Sequence, residues 1–220
     1  MVTAEILKHT FKIRVQGSDA FGTGFLISKE GRQYLVSANH VLDGFSAGLE
    51  IEQNGRWVRY SGSVVGASTR GDVAVLALKT ALLPPAPKLG PPQLSLSEPL
   101  FFLGFPFGMT TWPVLNDGYP IPFVKQGIVS ALMDGGQIGS PGFYLDAINN
   151  LGFSGGPVVR GYPSETILGV VHGYVSSNTE TRDVSGKQIG TTLENSGIML
   201  CYHIELAAAL IEASPIGPSE

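Results

Sequence analysis

One position in five of this chain is a turn-former, with 29 glycines and 15 prolines among 220 residues, where average usage is about 12%. Punctuation this dense cuts regular elements short and leaves no room for a coiled coil or a bundle of long helices. Charge points the same way, because only 15% of residues are charged where roughly 25% is usual. Long solvent-facing helices would need more Lys, Glu and Arg on their outer faces. A disordered chain would carry less than the 43% of apolar residues found here. What fits is a protein of many short strands joined by Gly/Pro turns.

The alternation Phe11-Lys12-Ile13-Arg14-Val15 starts a series of such strands. Segments bounded by turn signals predict strands over 11–16, 22–28, 33–38, 48–53, 56–66 and 72–78. Turns fall at Lys29-Glu30-Gly31 and at Asn54-Gly55, the latter a strong type I′ hairpin signal. Five prolines between Leu83 and Pro92 then leave few backbone donors and favour a semi-rigid linker. After it, strands are expected over 99–104, 122–133, 142–147, 157–160, 166–175 and 197–204, with a long surface loop from Thr110 to Pro122. The one convincing helix is Ile204 to Ala213, where Ile204, Leu206, Ala207, Leu210 and Ile211 recur at helical spacing. Sheets of this kind close into barrels or sandwiches to hide their edges.

Several function classes drop out. A net charge of −4 with scattered basic residues lacks the electrostatic footprint of nucleic-acid binding. No stretch approaches the length of a membrane-spanning helix, and the N-terminus Met1-Val2-Thr3-Ala4-Glu5-Ile6 lacks the blocks of a signal peptide. The default location is therefore cytoplasmic, or secreted or periplasmic if a leader has been removed. The single Cys201 excludes an intrachain disulfide and a cysteine zinc cluster, and its apolar neighbours Ile198, Met199 and Leu200 suit a buried small hydrophobe. No metal and no cofactor are expected.

Chemistry concentrates at three places. In Gly152-Phe153-Ser154-Gly155-Gly156-Pro157 a serine is flanked by glycines, which leave room for a carbonyl and let backbone N–H groups point at a developing oxyanion. His40 ends the apolar run Tyr34-Leu35-Val36-Ser37-Ala38-Asn39, and Asp72 opens the apolar run Val73-Ala74-Val75-Leu76. Singly, each has a plain reading as a turn, a loop histidine or a strand-end acid. Together they are a nucleophile, a base and an orienting acid, the set a weakly nucleophilic hydroxyl needs.

Gly22-Thr23-Gly24-Phe25, Ser37-Ala38-Asn39-His40-Val41, Gly71-Asp72-Val73-Ala74-Val75, Gly104-Phe105-Pro106-Phe107-Gly108 with Gln126-Gly127-Ile128-Val129-Ser130-Ala131-Leu132, and Asp146-Ala147-Ile148-Asn149-Asn150-Leu151-Gly152-Phe153-Ser154-Gly155-Gly156-Pro157 follow one another in order, and Ser196 to Ile204 leads into the terminal helix. The ordered set spans nearly 22–210 and resembles the chymotrypsin-fold serine proteases, in particular their HtrA/Deg-like, bacterial trypsin-like branch. The resemblance implies an all-β fold of two six-stranded antiparallel β-barrels with a C-terminal helix. In its terms residues 1–82 form an N-terminal barrel with His40 and Asp72, 83–98 the linker, 99–203 a C-terminal barrel with Ser154, and 204–220 the helix and tail. It implies a serine endopeptidase in which Ser154 attacks a peptide carbonyl, His40 acts as general base and then acid, and Asp72 orients the imidazole. The oxyanion hole would be the backbone N–H groups of Gly152 and Ser154.

The same resemblance lays an extended polypeptide substrate along Val170, Val171, His172 and Gly173, with Ile148 and Asn149 in the pocket wall. No acid follows Asp146 in that stretch, so small or medium apolar residues are the expected preference. Glutamate-specific relatives carry a histidine near His172, but its spacing from the glycine here differs by one residue, which turns a strand side chain to the other face. Relatives often carry a PDZ domain and form trimers; no PDZ domain is expected in this chain, and homo-oligomerisation is not readable.

Two departures stand out. Phe153 occupies a place where the family has Asn or Asp, and Ser37 replaces Thr. A catalytically inactive peptide-binding pseudoprotease, its oxyanion loop distorted by Phe153, is the non-enzyme alternative. The third reading is an α/β-hydrolase esterase, because Gly152-Phe153-Ser154-Gly155-Gly156 also satisfies G-x-S-x-G and Asp183 and His203 follow in that fold's order.

Overall fold

A computed structural model describes the chain except residues 44, 46, 47, 88, 90–92, 112–116, 135–140 and 164–165. After a short helix α1 (Ala4–Lys8) the first half contains β1 (Thr10–Val15), β2 (Gly22–Lys29), β3 (Arg32–Ser37), β4 (Leu49–Gln53), β5 (Arg56–Tyr60), β6 (Gly62–Ala67) and β7 (Ala74–Leu78). The second half contains β8 (Pro99–Gly104), β9 (Phe123–Met133), β10 (Gly142–Asp146), β11 (Pro157–Arg160), β12 (Thr166–Arg182) and β13 (Gln188–His203), followed by α2 (Glu205–Ala213).

The second half is a closed six-stranded barrel in the order β10-β13-β12-β11-β8-β9. The first half is a seven-stranded sheet in the order β5-β4-β1-β2-β3-β7-β6. The extra strand arises because the run expected over 56–66 breaks at Ser61, β5 pairing with β4 and β6 with β7 at the opposite edge. Consecutive strands joined by one residue cannot lie at the two ends of a flat sheet, so this sheet is rolled until its edges meet. Gly62 is the corner residue, where a Cβ would stand 2.5 Å from the Ala77 carbonyl oxygen. The double-barrel expectation therefore holds, with one barrel closed by hydrogen bonds and the other rolled.

Each half has its own apolar centre. Phe11, Ile13, Leu26, Leu35, Leu49 and Ile51 fill the rolled sheet, and Leu100, Phe102, Val129, Phe143, Leu145 and Cys201 fill the barrel. A third cluster joins Phe25, Val36, Val73 and Val75 from the first half to Leu103, Val170, Tyr202, Ile204 and Ile211 from the second. This seam fixes the two halves face to face and so fixes the cleft between them.

Three features depart from the sequence expectation. Helix α1 tucks the buried Ile6 into the seam; five residues give too little periodicity to read. Strands β12 and β13 run past their expected ends as a paired ribbon, from Ser176↔Asn195 to Arg182↔Gln188. Within the loop expected over 110–122, residues 112–116 lie outside the described residues. Tyr119, however, is buried against Phe11 at a ring separation of 4.9 Å and hydrogen-bonds Tyr60 at 2.9 Å. Among the described residues no helix is long and apolar enough to cross a membrane.

Candidate active site

The β3–β7 ladder brings His40 and Asp72 together. Its last pair is Ser37↔Ala74, so the antiparallel register carried outward sets Asn39 opposite Asp72. The Asn39 N–H accordingly donates to the Asp72 carbonyl at 3.2 Å. His40 lies in the 3-10 turn Asn39–Val41 just beyond β3. Asp72 precedes β7 rather than opening it, with its side chain largely covered. Its Oδ1 accepts the His40 backbone N–H at 2.9 Å, and its Oδ2 accepts His40 Nδ1 at 2.5 Å.

A second imidazole shares that carboxylate. His172 Nδ1 donates to the same Asp72 Oδ2 at 2.6 Å. Burial alone would push the Asp72 carboxyl up, but the hydrogen bonds from His172 and His40 outweigh it and hold the group well below the usual carboxylate range. An ionised carboxylate only accepts, so both rings carry a proton on Nδ1 and the Nε2 of His40 is left to accept another. The three side chains offer atoms within 4.8 Å of one another. Donor–acceptor separations of 2.5 and 2.6 Å are those of hydrogen bonds, whereas ligand atoms around a tetrahedral zinc stand about 3.3 Å apart.

Ser154 sits in the turn before β11, held from the opposite barrel. Thr23 donates its N–H to the Ser154 carbonyl at 2.8 Å and its hydroxyl to the Gly152 carbonyl at 2.7 Å. Ser37 in turn donates its hydroxyl to the Thr23 carbonyl at 2.7 Å. The turn needs its glycines. A Cβ on Gly155 (φ +83°) would lie 2.2 Å from both Ser37 Oγ and the Thr23 carbonyl oxygen, and one on Gly152 (φ +101°) would lie 2.1 Å from the Phe105 carbonyl oxygen.

The Leu151 carbonyl accepts from the Phe107 N–H at 2.7 Å. In a trans peptide N–H and C=O point opposite ways, so the Gly152 N–H is aimed away from Phe107. Among the described residues neither the Gly152 nor the Ser154 N–H donates to a protein acceptor. The Phe153 ring is buried in the barrel core, edge-on to Phe102 at 5.1 Å, and so does not press on the Gly152 peptide from the cleft. His40, Val41, Phe21, Phe107, Gly152 and Ser154 line one cleft of about 520 Å³. The Ser154 hydroxyl donates to the His172 carbonyl at 3.0 Å, and no hydrogen bond joins it to His40.

The remaining site residues divide by what they can still offer. Val170 and Val171 are fully buried, and the Val171 N–H and C=O are taken by Gly156 and Gly155. Direct substrate contact from those two valines is thus precluded, and of the four strand residues expected to meet substrate His172 and Gly173 remain accessible. Ile148 is 60% exposed and Asn149 is buried with its Oδ1 unpartnered. Lys125 donates to the Ile148 carbonyl and Asn195 to the Asn149 carbonyl, which pins this loop from two sides. The esterase geometry is absent. Strand β11, not a helix, follows Gly156; Asp183 is at the exposed tip of the β12–β13 ribbon; His203 is packed against Phe143 at 5.3 Å with Nδ1 unpartnered. Cys201 is buried, and burial pushes its thiol far above the ordinary value, which leaves it inert as a nucleophile.

A family model described as trypsin-like peptidase domain matches residues 22–170. The chain belongs to the trypsin-like peptidase family. Among its curated relatives are probable periplasmic serine endoproteases, DegP-like, from Marinomonas sp. (28% identical over 64% of this chain and 33% of the relative), Pseudomonas savastanoi (33% identical, 66% and 28%) and Chlamydia muridarum (25% identical, 94% and 45%). This chain thus spans less than half the length of those relatives. Solved folds that it matches include an HtrA-type protease AlgW with tripeptide (TM-score 0.65, 23% identity, 96% of this chain and 61% of that one). Another is a serine endoprotease from Yersinia pestis (TM-score 0.65, 20% identity, 95% and 63%). The chymotrypsin-like fold and the HtrA/Deg-like resemblance read from the sequence both stand. Those relatives are named as probable periplasmic proteins, so the cytoplasmic default has no support.

Proposed function

We propose that this trypsin-like peptidase is a serine endopeptidase in which Ser154 is the nucleophile, His40 the general base and then acid, and Asp72 the group that orients the imidazole. The observation that carries the reading is the double grip of Asp72 on His40, through both its backbone N–H and its Nδ1. That grip fixes the ring and its tautomer and leaves Nε2 to accept, on a residue that lines the same cleft as Ser154. For reaction the Ser154 hydroxyl leaves the His172 carbonyl and turns to His40. Catalytic hydrogen bonds commonly tighten only when substrate is bound. The Gly152 and Ser154 N–H groups, free of protein acceptors, then receive the oxyanion, and water hydrolyses the acyl-enzyme.

The substrate is a polypeptide in extended form, its acyl half beside Gly173 and the His172 carbonyl and its leaving half in the apolar cleft beyond His40. A periplasmic location is in keeping with the DegP-like relatives. A fluorophosphonate probe tests the chemistry directly. Wild-type protein should label and Ser154→Ala should not, and Ser154→Ala or His40→Ala should lower turnover roughly 10⁴ to 10⁶-fold. Labelling that is absent, or that survives Ser154→Ala, would leave a peptide-binding pseudoprotease as the better description.

A further inference from the structure

Strand β12 is not regular where it passes the cleft. Val171 pairs with Cys201 and Gly173 with Leu200, so His172 is the extra residue of a β-bulge. A bulge re-aims one side chain without disturbing its neighbours, and here it turns the imidazole out of the barrel wall while Val170 and Val171 stay in the core. Once turned, the ring has defined neighbours. Its Nδ1 meets Asp72 Oδ2 at 2.6 Å; it stands edge-on to His40 at 5.7 Å and packs on Tyr202 at 5.5 Å. Its backbone carbonyl holds the Ser154 hydroxyl at 3.0 Å. One residue from the second half thus touches all three members of the proposed triad.

We propose that His172 is a positioning residue, whose Nδ1–H fixes the Asp72 carboxylate so that Asp72 in turn fixes His40. This inference rests on the triad reading and adds a fourth member to it. It also gives the His172 ring a role apart from substrate selection, since its Nδ1 is taken by Asp72. The need is physical. Without His172 the largely covered carboxylate would bond only to His40, through Oδ1 and Oδ2, and no side-chain hydrogen bond among the described residues would tie the His40–Asp72 pair to the half that carries Ser154. A second donor on Oδ2, coming from the other barrel, makes that tie. It also offsets the burial that disfavours the charge Asp72 must keep while His40 is an imidazolium.

Two substitutions divide the nitrogen from the ring. Asparagine places an amide nitrogen at the branch position of Nδ1 and so keeps the donor while losing the ring; phenylalanine keeps the ring and loses the donor. With fluorophore-labelled unfolded casein and a peptide chosen from its cleavage products, His172→Phe should lower kcat about 10 to 100-fold with KM within about twofold, the effect of losing one hydrogen bond to a charged group. His172→Asn should recover most of that loss. Equal impairment of the two variants, or a loss carried by KM or by a changed cleavage preference, would overturn the proposal in favour of substrate contact. A measurement independent of turnover uses ¹⁵N-histidine-labelled Ser154→Ala protein, where NMR should find His172 protonated on Nδ1. Protonation on Nε2 alone would also overturn it, whether or not the His172 variants fold. If the tautomer is as stated and the probe does not label wild-type protein, the peptidase reading falls and the His172–Asp72 contact remains.

Discussion

Asp72 is the residue on which the site turns, and its charge links chemistry to stability. Its carboxyl is held well below the usual range in the folded protein, so its protonation destabilises the fold. The contribution is complete above the unfolded carboxylate value of about 4 and shrinks as pH falls below it. Asp72→Asn should therefore flatten the fall in urea midpoint between about pH 4 and pH 2. Some slope should remain, because Glu98 beside Arg160 and Glu220 beside Ser28 are also held low despite their burial. An unchanged slope would mean that Asp72 is not ionised in the way its contacts require. At this scale His40, Asp72 and Ser154 were legible, because each stands where an apolar run meets a turn. The aim of His172 was not. Spacing alone turned it from the substrate-reading position, and only the bulge, which leaves no mark in the order of residue types, points it at Asp72.

Among the elements, strands with at least one buried face were readable and the stretches with none were not. Alternation marked β1 and β4, short apolar runs between turn signals marked β2 and β3, and the glycine-rich turn around Ser154 marked the start of β11. The outer ribbon of β12 and β13 has both faces in solvent, so Ser176 to Asn195 offered no apolar period to follow. Its tip is self-contained, with the Asp183 carboxylate accepting from the Ser185 N–H at 2.9 Å, the Ser185 hydroxyl at 2.6 Å and the Lys187 N–H at 3.0 Å. Asn195 is different, since it ties the base of the ribbon to the Asn149 carbonyl beside the site. Replacing residues 179–192 by a two-residue Asn-Gly turn should accordingly shift the melting temperature by no more than a few degrees and leave probe labelling of Ser154 intact. Asn195→Ala should instead slow labelling by freeing the 148–150 loop. A truncated ribbon that unfolds the protein would show that its exposed faces are covered in the working state.

In the whole molecule, the cleft exists because two curled sheets meet along one apolar seam, and the oxyanion turn is a part of that seam. Composition announced a turn-rich β protein; it could not announce which glycines lie where two backbones touch. Gly155 is such a place, with the Thr23 carbonyl of the first half and the Val171 carbonyl of the second on either side, the latter accepting the Gly155 N–H at 2.8 Å. A methyl group there has nowhere to go, and the positive φ adds strain for any L side chain. Gly155→Ala should therefore separate the halves at the site, with loss of Ser154 labelling and a large drop in stability. Ile211→Ala, which empties a buried position on the same seam, should cost about 2 to 4 kcal/mol in denaturant unfolding and leave labelling at saturating probe unchanged, because the turn itself is untouched. The pair distinguishes two ways in which the seam could govern activity. If Ile211→Ala abolished labelling as fully as Gly155→Ala, the packing of the halves as a whole would set the turn, and the local grip of Thr23 and Ser37 would not suffice to hold it.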